Sequence, residues 1–105
     1  MAAVNEFEAV GDDLVYRVET YLEPARFHRL SGGRSTPTDL VVTSPVKFDD
    51  IEVVRVFATS KDGTRVPVNI ARRKGVRLDG NNPTLLYGYG GYGVSMTPSF
   101  LGGAR

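Results

Sequence analysis

The chain carries the stretch Thr84-Leu-Leu-Tyr-Gly-Tyr-Gly-Gly-Tyr-Gly-Val-Ser-Met-Thr-Pro98, in which a short apolar run breaks into glycines. Residues 84–87 follow a proline and are mostly apolar or aromatic, which predicts a buried strand. Glycine permits a positive φ and a close approach of the backbone to a ligand. A tyrosine phenol has a pKa of about 10, so it remains a proton donor at neutral pH. The sequence therefore predicts a buried strand that ends in a loop able to hold a substrate.

Three interpretations of this loop compete. Gly88, Gly90 and Gly93 satisfy the dinucleotide-binding pattern G-x-G-x-x-G, but residues 94–98 are a poor helix start and no acidic residue follows them in the sequence. A tight turn whose tyrosines pack on neighbouring side chains is the plainest alternative. The third interpretation is an oxyanion loop, which in α/β-hydrolases follows an early strand and donates a hydrogen bond to the tetrahedral intermediate.

Length and composition are those of one small globular domain. The 105 residues are 41% hydrophobic and 24% charged, and the formal net charge is +1. This balance argues against a disordered chain and gives no reason to expect a nucleic-acid or membrane partner. Because cysteine is absent and His28 is the only histidine, no disulfide and no thiolate or histidine-cluster metal site is expected. No cofactor is predicted either.

The N-terminus, Met1-Ala-Ala-Val-Asn-Glu-Phe-Glu8, has neither the basic start nor the apolar stretch of a secretory signal. No apolar run approaches the roughly 20 residues that span a bilayer. The expected location is therefore the cytoplasm, with the periplasm left open if the true N-terminus lies upstream of Met1.

The first half of the chain is predicted to form short strands. β-forming residues fill Leu14–Thr20. Residues 25–30 alternate between apolar and polar side chains, which places Phe27 and His28 on opposite faces of a strand. Residues 31–38, with two glycines and a proline, are predicted to be a flexible connection. A lone strand histidine such as His28 is expected to be packed or exposed rather than catalytic.

A domain boundary is predicted near residue 45, and the strand pattern is clearer after it. Residues 51–58 are rich in β-branched side chains, Lys61-Asp-Gly63 is a hairpin turn signal, and residues 64–71 return as a second strand. Because Pro67 cannot donate a ladder hydrogen bond, this strand is expected to have an unpaired edge. The hairpin would be antiparallel and half-buried, with a scaffold role.

The sequence Arg72-Arg-Lys-Gly-Val-Arg77 is a basic run. It has the charge to bind phosphate or an acidic partner, but such runs are more often solvated connections between strands. The solvated connection is the favoured interpretation.

Three motifs occur in order in the second half of the chain. They are Lys74-Gly-Val-Arg-Leu-Asp-Gly80, Asn82-Pro-Thr-Leu-Leu-Tyr-Gly-Tyr-Gly-Gly-Tyr-Gly93 and Thr97-Pro-Ser-Phe100. Together they closely resemble the start of the catalytic domain of the prolyl oligopeptidase family of serine peptidases. Residues 48–67 resemble the hairpin that enters that domain, and the strands before residue 45 are consistent with the family's last propeller blade.

The resemblance implies a mainly β fold for the isolated chain. The parent would be an α/β-hydrolase domain with a β-propeller, in which residues 1–45 end the propeller and residues 46–105 are the first, incomplete part of the peptidase domain. It also implies a serine endopeptidase that hydrolyses short peptides on the carboxyl side of proline. Oligopeptidases that cleave after basic residues remain an alternative, because Tyr92-Gly93 is closer to their version of the loop.

By the same resemblance, the site residues lie in the glycine loop. Tyr89 takes the position of the tyrosine whose hydroxyl donates to the oxyanion hole, and Tyr92 that of an aromatic residue that lines the proline pocket. The loop glycines are Gly88, Gly90, Gly91 and Gly93. Phenylalanine is familiar at the position of Tyr92 and asparagine at that of Gly93, so the departures leave the shape of the pocket open but not the role of the loop.

The catalytic triad of the family has no counterpart in these residues. No Gly-x-Ser-x-Gly turn occurs, and the family's histidine lies near its C-terminus, so His28 is not a match. The chain is therefore expected to be a fragment, inactive alone, whose unpaired strand edges can self-associate. The alternative is a stand-alone β-rich binding module that uses Tyr87, Tyr89 and Tyr92 as an aromatic surface.

Overall fold

The computed structural model describes residues 1–103 and confirms a mainly β chain. Its strands are β1 (Ala2–Val10), β2 (Asp13–Thr20), β3 (Arg26–Ser31), β4 (Arg34–Val41), β5 (Ile51–Thr59) and β6 (Arg65–Arg73). A turn of 3-10 helix follows at Leu101–Gly103. Residues 1–103 contain no α-helix, and no helix in this described part is long and apolar enough to cross a membrane.

Contacts divide the chain into two units. The first comprises Met1–Phe48 and the segment that begins at Gly88, and the second comprises Asp49–Tyr87. The assignment of residues 1–45 and 46–105 to two parent domains stays a prediction.

The first unit is built on an antiparallel meander. Its strand order is β1-β2-β3-β4, and each strand pairs with the next one in sequence. Pairing places Tyr16 of β2 opposite His28 of β3. The Tyr16 ring stacks on the His28 ring with centroids 5.6 Å apart, and on the Phe7 ring of β1 at 6.4 Å. The expectation that His28 is packed is therefore confirmed.

The flexible connection predicted for residues 31–38 is wrong, because most of that segment is strand β4. Only Gly32 and Gly33 form the turn, with φ of 54° and 76°. Two successive positive φ angles are those of a two-residue type I′ hairpin turn, whose twist matches the flanking strands. Pro37 is tolerated in β4 because this strand is the edge of the sheet.

The second unit is the predicted hairpin of β5 and β6. The strands are antiparallel and pair from Ile51 opposite Arg73 to Thr59 opposite Arg65. The turn closes through hydrogen bonds from Ser60 N to Thr64 O and from Gly63 N to Ser60 O, both 2.9 Å. Since the sheet has two strands, β6 has a free edge, as its proline predicts.

The basic run is neutralised within its own unit. Arg72 Nε lies 2.8 Å from Glu52 Oε1, and Arg73 Nε lies 3.2 Å from Asp50 Oδ2. Lys74 Nζ donates to the carbonyl of Asp49 at 2.7 Å. These contacts favour the structural interpretation of the run over a phosphate site.

The buried strand predicted for residues 84–87 is wrong. These residues adopt no strand, and the exposed fractions of Leu85, Leu86 and Tyr87 are 92%, 85% and 72%. A strand needs a hydrogen-bonded neighbour, and the pairings described in residues 1–103 involve β1 to β6 alone. The apolar pattern therefore records a tendency that this chain does not satisfy by itself.

Burial of apolar side chains is slight throughout. Among apolar residues of the described chain, Ala3 and Ala25 are the buried ones listed as core, with exposed fractions of 8% and 1%. The accessible surface is 8579 Å², whereas a folded monomer of this mass exposes about 5,800 Å². The strands thus present a large apolar area that a self-sufficient domain would cover.

Candidate functional site

The glycine loop lies exposed in the first unit from Gly88 onward. The exposed fraction of Tyr89 is 48%, so its phenol is accessible without being fully solvated. Its ring folds back over the backbone at Gly91, where an added Cβ would lie 3.4 Å from the Tyr89 hydroxyl oxygen. The loop backbone therefore supports the ring of Tyr89 and leaves its hydroxyl able to donate.

A tight turn follows Tyr89. Val94 N donates to Gly91 O at 3.1 Å, and the two central residues have positive φ, 55° at Tyr92 and 67° at Gly93. This is the pattern of a type I′ turn. Of the four loop glycines, Gly93 is the one with positive φ, so the strained position is taken by a tyrosine.

Tyr92 is unusual in two respects. A bulky residue at positive φ is a conformational outlier, and the Tyr92 side chain is 98% exposed. Within its unit, no burial of the ring offsets the backbone strain. Strained residues of this kind concentrate at ligand-binding sites, which supports a role for the Tyr92 ring in contact with another molecule or segment.

The segment after the loop is anchored on strand β2. Pro98 is buried, and the next two backbone amides that are ordered against the sheet belong to Phe100 and Leu101. Phe100 N donates to Glu19 Oε1 at 3.0 Å, and Leu101 N donates to the carbonyl of Tyr21 at 3.0 Å. The exit of the loop is therefore fixed to the end of β2.

Glu19 is the functional residue that the sequence reasoning missed. Its second carboxylate oxygen, Oε2, lies 3.0 Å from an Arg17 guanidinium nitrogen. Arg17 also donates to Asn5 Oδ1 at 3.3 Å and lies 3.8 Å from Glu6 Oε1. Opposite charges two residues apart on one strand face are a signal for this ion pair, but nothing local indicates the amide of Phe100.

A cleft of about 390 Å³ lies on the Tyr16 and His28 face of the first unit; its lining is Val18, Thr20, Glu23, Pro24, Arg26, His28, Pro37 and Val41. The buried Nδ1 of His28 has no hydrogen-bond partner among residues 1–103. A histidine that acts as a general base is oriented by an acceptor at Nδ1. The cleft therefore lacks the arrangement of a triad, in agreement with the view that His28 is not catalytic.

Two carboxyl groups have shifted pKa values, and both lie in turns away from the loop. Hydrogen bonds from Ser31 and then Arg29 lower the pKa of Asp13. Hydrogen bonds from the backbone and side chain of Thr64 lower the pKa of Asp62. These groups stabilise their turns as carboxylates. No group of three or more metal-ligating side chains occurs within residues 1–103.

Comparisons with known proteins point to one group of peptidases. A peptidase of Sinorhizobium fredii is 38% identical over 91 residues, which are 85% of this chain and 12% of that protein. The prolyl endopeptidase of Elizabethkingia miricola is 37% identical over 97 residues, which are 89% of this chain and 13% of that protein. No protein-family model matches.

The fold comparison agrees with the sequence comparison. A solved prolyl endopeptidase structure matches with a TM-score of 0.83 and 36% identity, over 94% of this chain and 15% of that chain. The chain thus spans 12% to 15% of the length of these relatives. The match extends over both units and the glycine loop.

Proposed function

Because this chain belongs to the prolyl oligopeptidase family, we propose that its glycine loop forms the oxyanion hole of a serine-type endopeptidase. The reaction is the hydrolysis of short peptides on the carboxyl side of proline. The chain contributes the loop and part of the surrounding scaffold, and the nucleophile, base and acid come from further residues of the complete peptidase. The observation that carries this proposal is the half-exposed phenol of Tyr89, held over Gly91 by a strained turn.

The chemistry follows from the charge that develops during acyl transfer. Attack on the scissile carbonyl converts its oxygen into an oxyanion, and the Tyr89 hydroxyl is a neutral donor able to meet that charge. A preorganised donor of this kind lowers the barrier by about 3 kcal/mol. The contact between the Tyr89 ring and Gly91 reduces the number of ring positions, which lowers the cost of orienting the hydroxyl.

Tyr92 is proposed to contact the proline ring of the substrate. Its flat side chain is exposed and its backbone is held by the turn hydrogen bond of Val94. A proline ring offers an apolar face that packs well on an aromatic ring. The strain at Tyr92 is then offset in the complex rather than in the isolated chain.

The isolated chain is proposed to be inactive. Acyl transfer by this chemistry requires a serine on a sharp turn, a histidine base and a carboxylate, and the sequence has no Gly-x-Ser-x-Gly turn and one histidine, whose buried Nδ1 is unpaired. The large exposed apolar area described above supports a segment that works inside a larger protein.

The proposal is tested by expressing the complete reading frame that encodes this segment and measuring hydrolysis of a chromogenic peptide with proline before the cleaved bond. Replacing Tyr89 by Phe is expected to lower kcat about 100-fold with little change in KM, because the donor acts only on the transition state. Tyr87→Phe is the matched control, since its phenol lies outside the glycine loop.

Two outcomes would reject the proposal. Wild-type kcat in Tyr89→Phe would remove the oxyanion role. A gene product that hydrolyses substrates with arginine or lysine before the cleaved bond, and not those with proline, would replace the proposed specificity with one for basic residues.

A further inference from the structure

The carboxylate of Glu19 makes two different contacts in the first unit. Oε1 accepts a hydrogen bond from the backbone N–H of Phe100 at 3.0 Å. Oε2 pairs with Arg17 at 3.0 Å, and the Glu19 side chain is 16% exposed. A hydrogen bond to a charged acceptor in a partly buried position is stronger than one between neutral groups. Glu19 is therefore a strong local anchor for the Phe100 backbone.

Two further contacts hold the same segment. Leu101 N donates to the carbonyl of Tyr21 at 3.0 Å. The ring of Phe100 meets the ring of Phe48 edge to face, with centroids 5.8 Å apart. The segment is thus held by a carboxylate, a carbonyl and an aromatic contact, all within one unit.

This anchored segment is the exit of the glycine loop. Pro98, which ends the loop, is buried next to it, whereas the residues between Gly88 and Thr97 are mostly exposed. An exposed loop takes its position largely from its ends. The place where the chain leaves the loop is therefore set by strand β2 rather than by contacts of the loop itself.

We propose that Glu19 is a positioning residue for the Tyr89 loop, acting through the backbone of Phe100. The proposal rests on the oxyanion role of that loop. Glu19 belongs to the part of the chain predicted to end a propeller, and Phe100 to the part predicted to begin the peptidase domain. Their hydrogen bond couples the sheet to the loop.

Arg17 fixes the orientation of Glu19. Its guanidinium lies against Glu19 Oε2, Asn5 Oδ1 and, at 3.8 Å, Glu6 Oε1. The β1–β2 pairing is irregular between Asn5 and Glu8, and Glu6 has a φ of 53°. The irregularity brings both Asn5 and Glu6 side chains towards Arg17, so the anchor depends on two strands.

The anchor is tested first by amide hydrogen exchange, followed by NMR on the 105-residue chain. In Glu19→Ala, exchange at Phe100 and Leu101 is expected to accelerate at least about tenfold, as loss of a charge-assisted hydrogen bond implies. Glu19→Gln keeps an acceptor for the Phe100 amide and should give an intermediate rate. Glu8→Ala, an exposed glutamate on β1, should leave both rates unchanged.

The catalytic consequence is tested in the complete gene product with the proline peptide substrate. Glu19→Ala is expected to lower kcat about tenfold with KM within twofold of the wild type, since displacement of the loop weakens transition-state contacts. Glu19→Gln should restore part of kcat. If Glu19→Ala fails to fold, as judged by circular dichroism, the Glu19→Gln variant carries both measurements.

The outcomes separate this proposal from the one on which it rests. Unchanged amide exchange in both Glu19 variants would overturn the anchor, whatever the activity. Faster exchange with wild-type kcat would overturn the positioning role while Tyr89 kept its own. A wild-type gene product with no peptidase activity would overturn the proposed function and the catalytic part of this one, and the exchange rates would still decide whether the anchor exists.

Discussion

The backbone N–H of Phe100 lies 3.0 Å from Glu19 Oε1, a contact between residues 81 positions apart in the sequence. It joins the last strand-forming residues of β2 to the segment that follows the glycine loop. Because Glu19 also pairs with Arg17 at 3.0 Å, the acceptor is held in place before the segment docks. The loop that carries Tyr89 therefore has a fixed exit and an exposed middle.

The contact between Phe100 and Phe48 is tested by Gly102→Ala. A Cβ at Gly102 would overlap the Phe100 ring, so the ring must move away from Phe48. The free energy of unfolding is expected to fall by about 1–2 kcal/mol, measured by urea denaturation. Loss of the ring-to-ring NMR contact should accompany it.

Gly88→Ala provides the control for this substitution. An added Cβ at Gly88 meets no atom within 4 Å, and its φ is not among the positive ones. Its unfolding midpoint should match the wild type. A wild-type midpoint in Gly102→Ala, with the ring contact intact, would show that Phe100 does not hold the segment.

The strain at Tyr92 predicts a stabilising substitution. Asparagine tolerates positive φ much better than tyrosine, so Tyr92→Asn should stabilise the turn by about 1 kcal/mol. The measurement is amide exchange at Val94, whose N–H closes the turn, and the expected change is a slowing of about fivefold.

The same substitution should harm the complete peptidase. Removing the aromatic ring from the proposed proline pocket is expected to raise KM several-fold, a trade of activity for stability of the kind found at binding sites. Tyr87→Asn, at a position without positive φ, controls for the change of side chain. Faster exchange at Val94 in Tyr92→Asn would contradict the assignment of strain.

The turn carboxylates predict how stability depends on pH. The pKa values of Asp13 and Asp62 are lowered from the ordinary 3.8 in the folded chain. Each group therefore contributes stability that is fully present above its unfolded pKa and is lost as pH falls through its folded pKa. The free energy of unfolding should decline as the pH is lowered from about 5 to about 3.

Asp13→Asn should flatten this dependence, because Arg29 and Ser31 then lose the carboxylate that they stabilise. The measurement is urea denaturation at a series of pH values. Asp12→Asn, in the neighbouring turn position, controls for the change of net charge. An Asp13→Asn variant with the full wild-type slope would assign the pH dependence to other groups.

Much of the fold follows from local patterns in the sequence. β5, β6 and the Lys61-Asp-Gly63 turn were predictable because β-branched alternation and a glycine with positive φ act within a few residues. The failure at residues 31–38 has the opposite lesson. A glycine pair and a proline resemble a loop, but the pair needs only two residues to turn, and an edge strand accepts the proline.

The candidate site was predictable in its residues and not in its surroundings. The glycines and tyrosines of the loop are conspicuous, and the family resemblance assigns roles to Tyr89 and Tyr92. The strain at Tyr92 instead of a glycine could not be read from sequence, because φ at one residue of a turn depends on how the whole turn closes.

The sequence by itself determined which segments are strands, which glycines turn the chain, and which family the chain resembles, because these depend on the conformational preferences of neighbouring residues. Only the tertiary structure decided that Glu19 accepts the amide of Phe100 and that Leu85 and Leu86 lie 92% and 85% exposed. Both facts depend on partners distant in the chain. An apolar run becomes a buried strand only when another strand supplies its hydrogen bonds, and a carboxylate becomes an anchor only when folding delivers a donor to it.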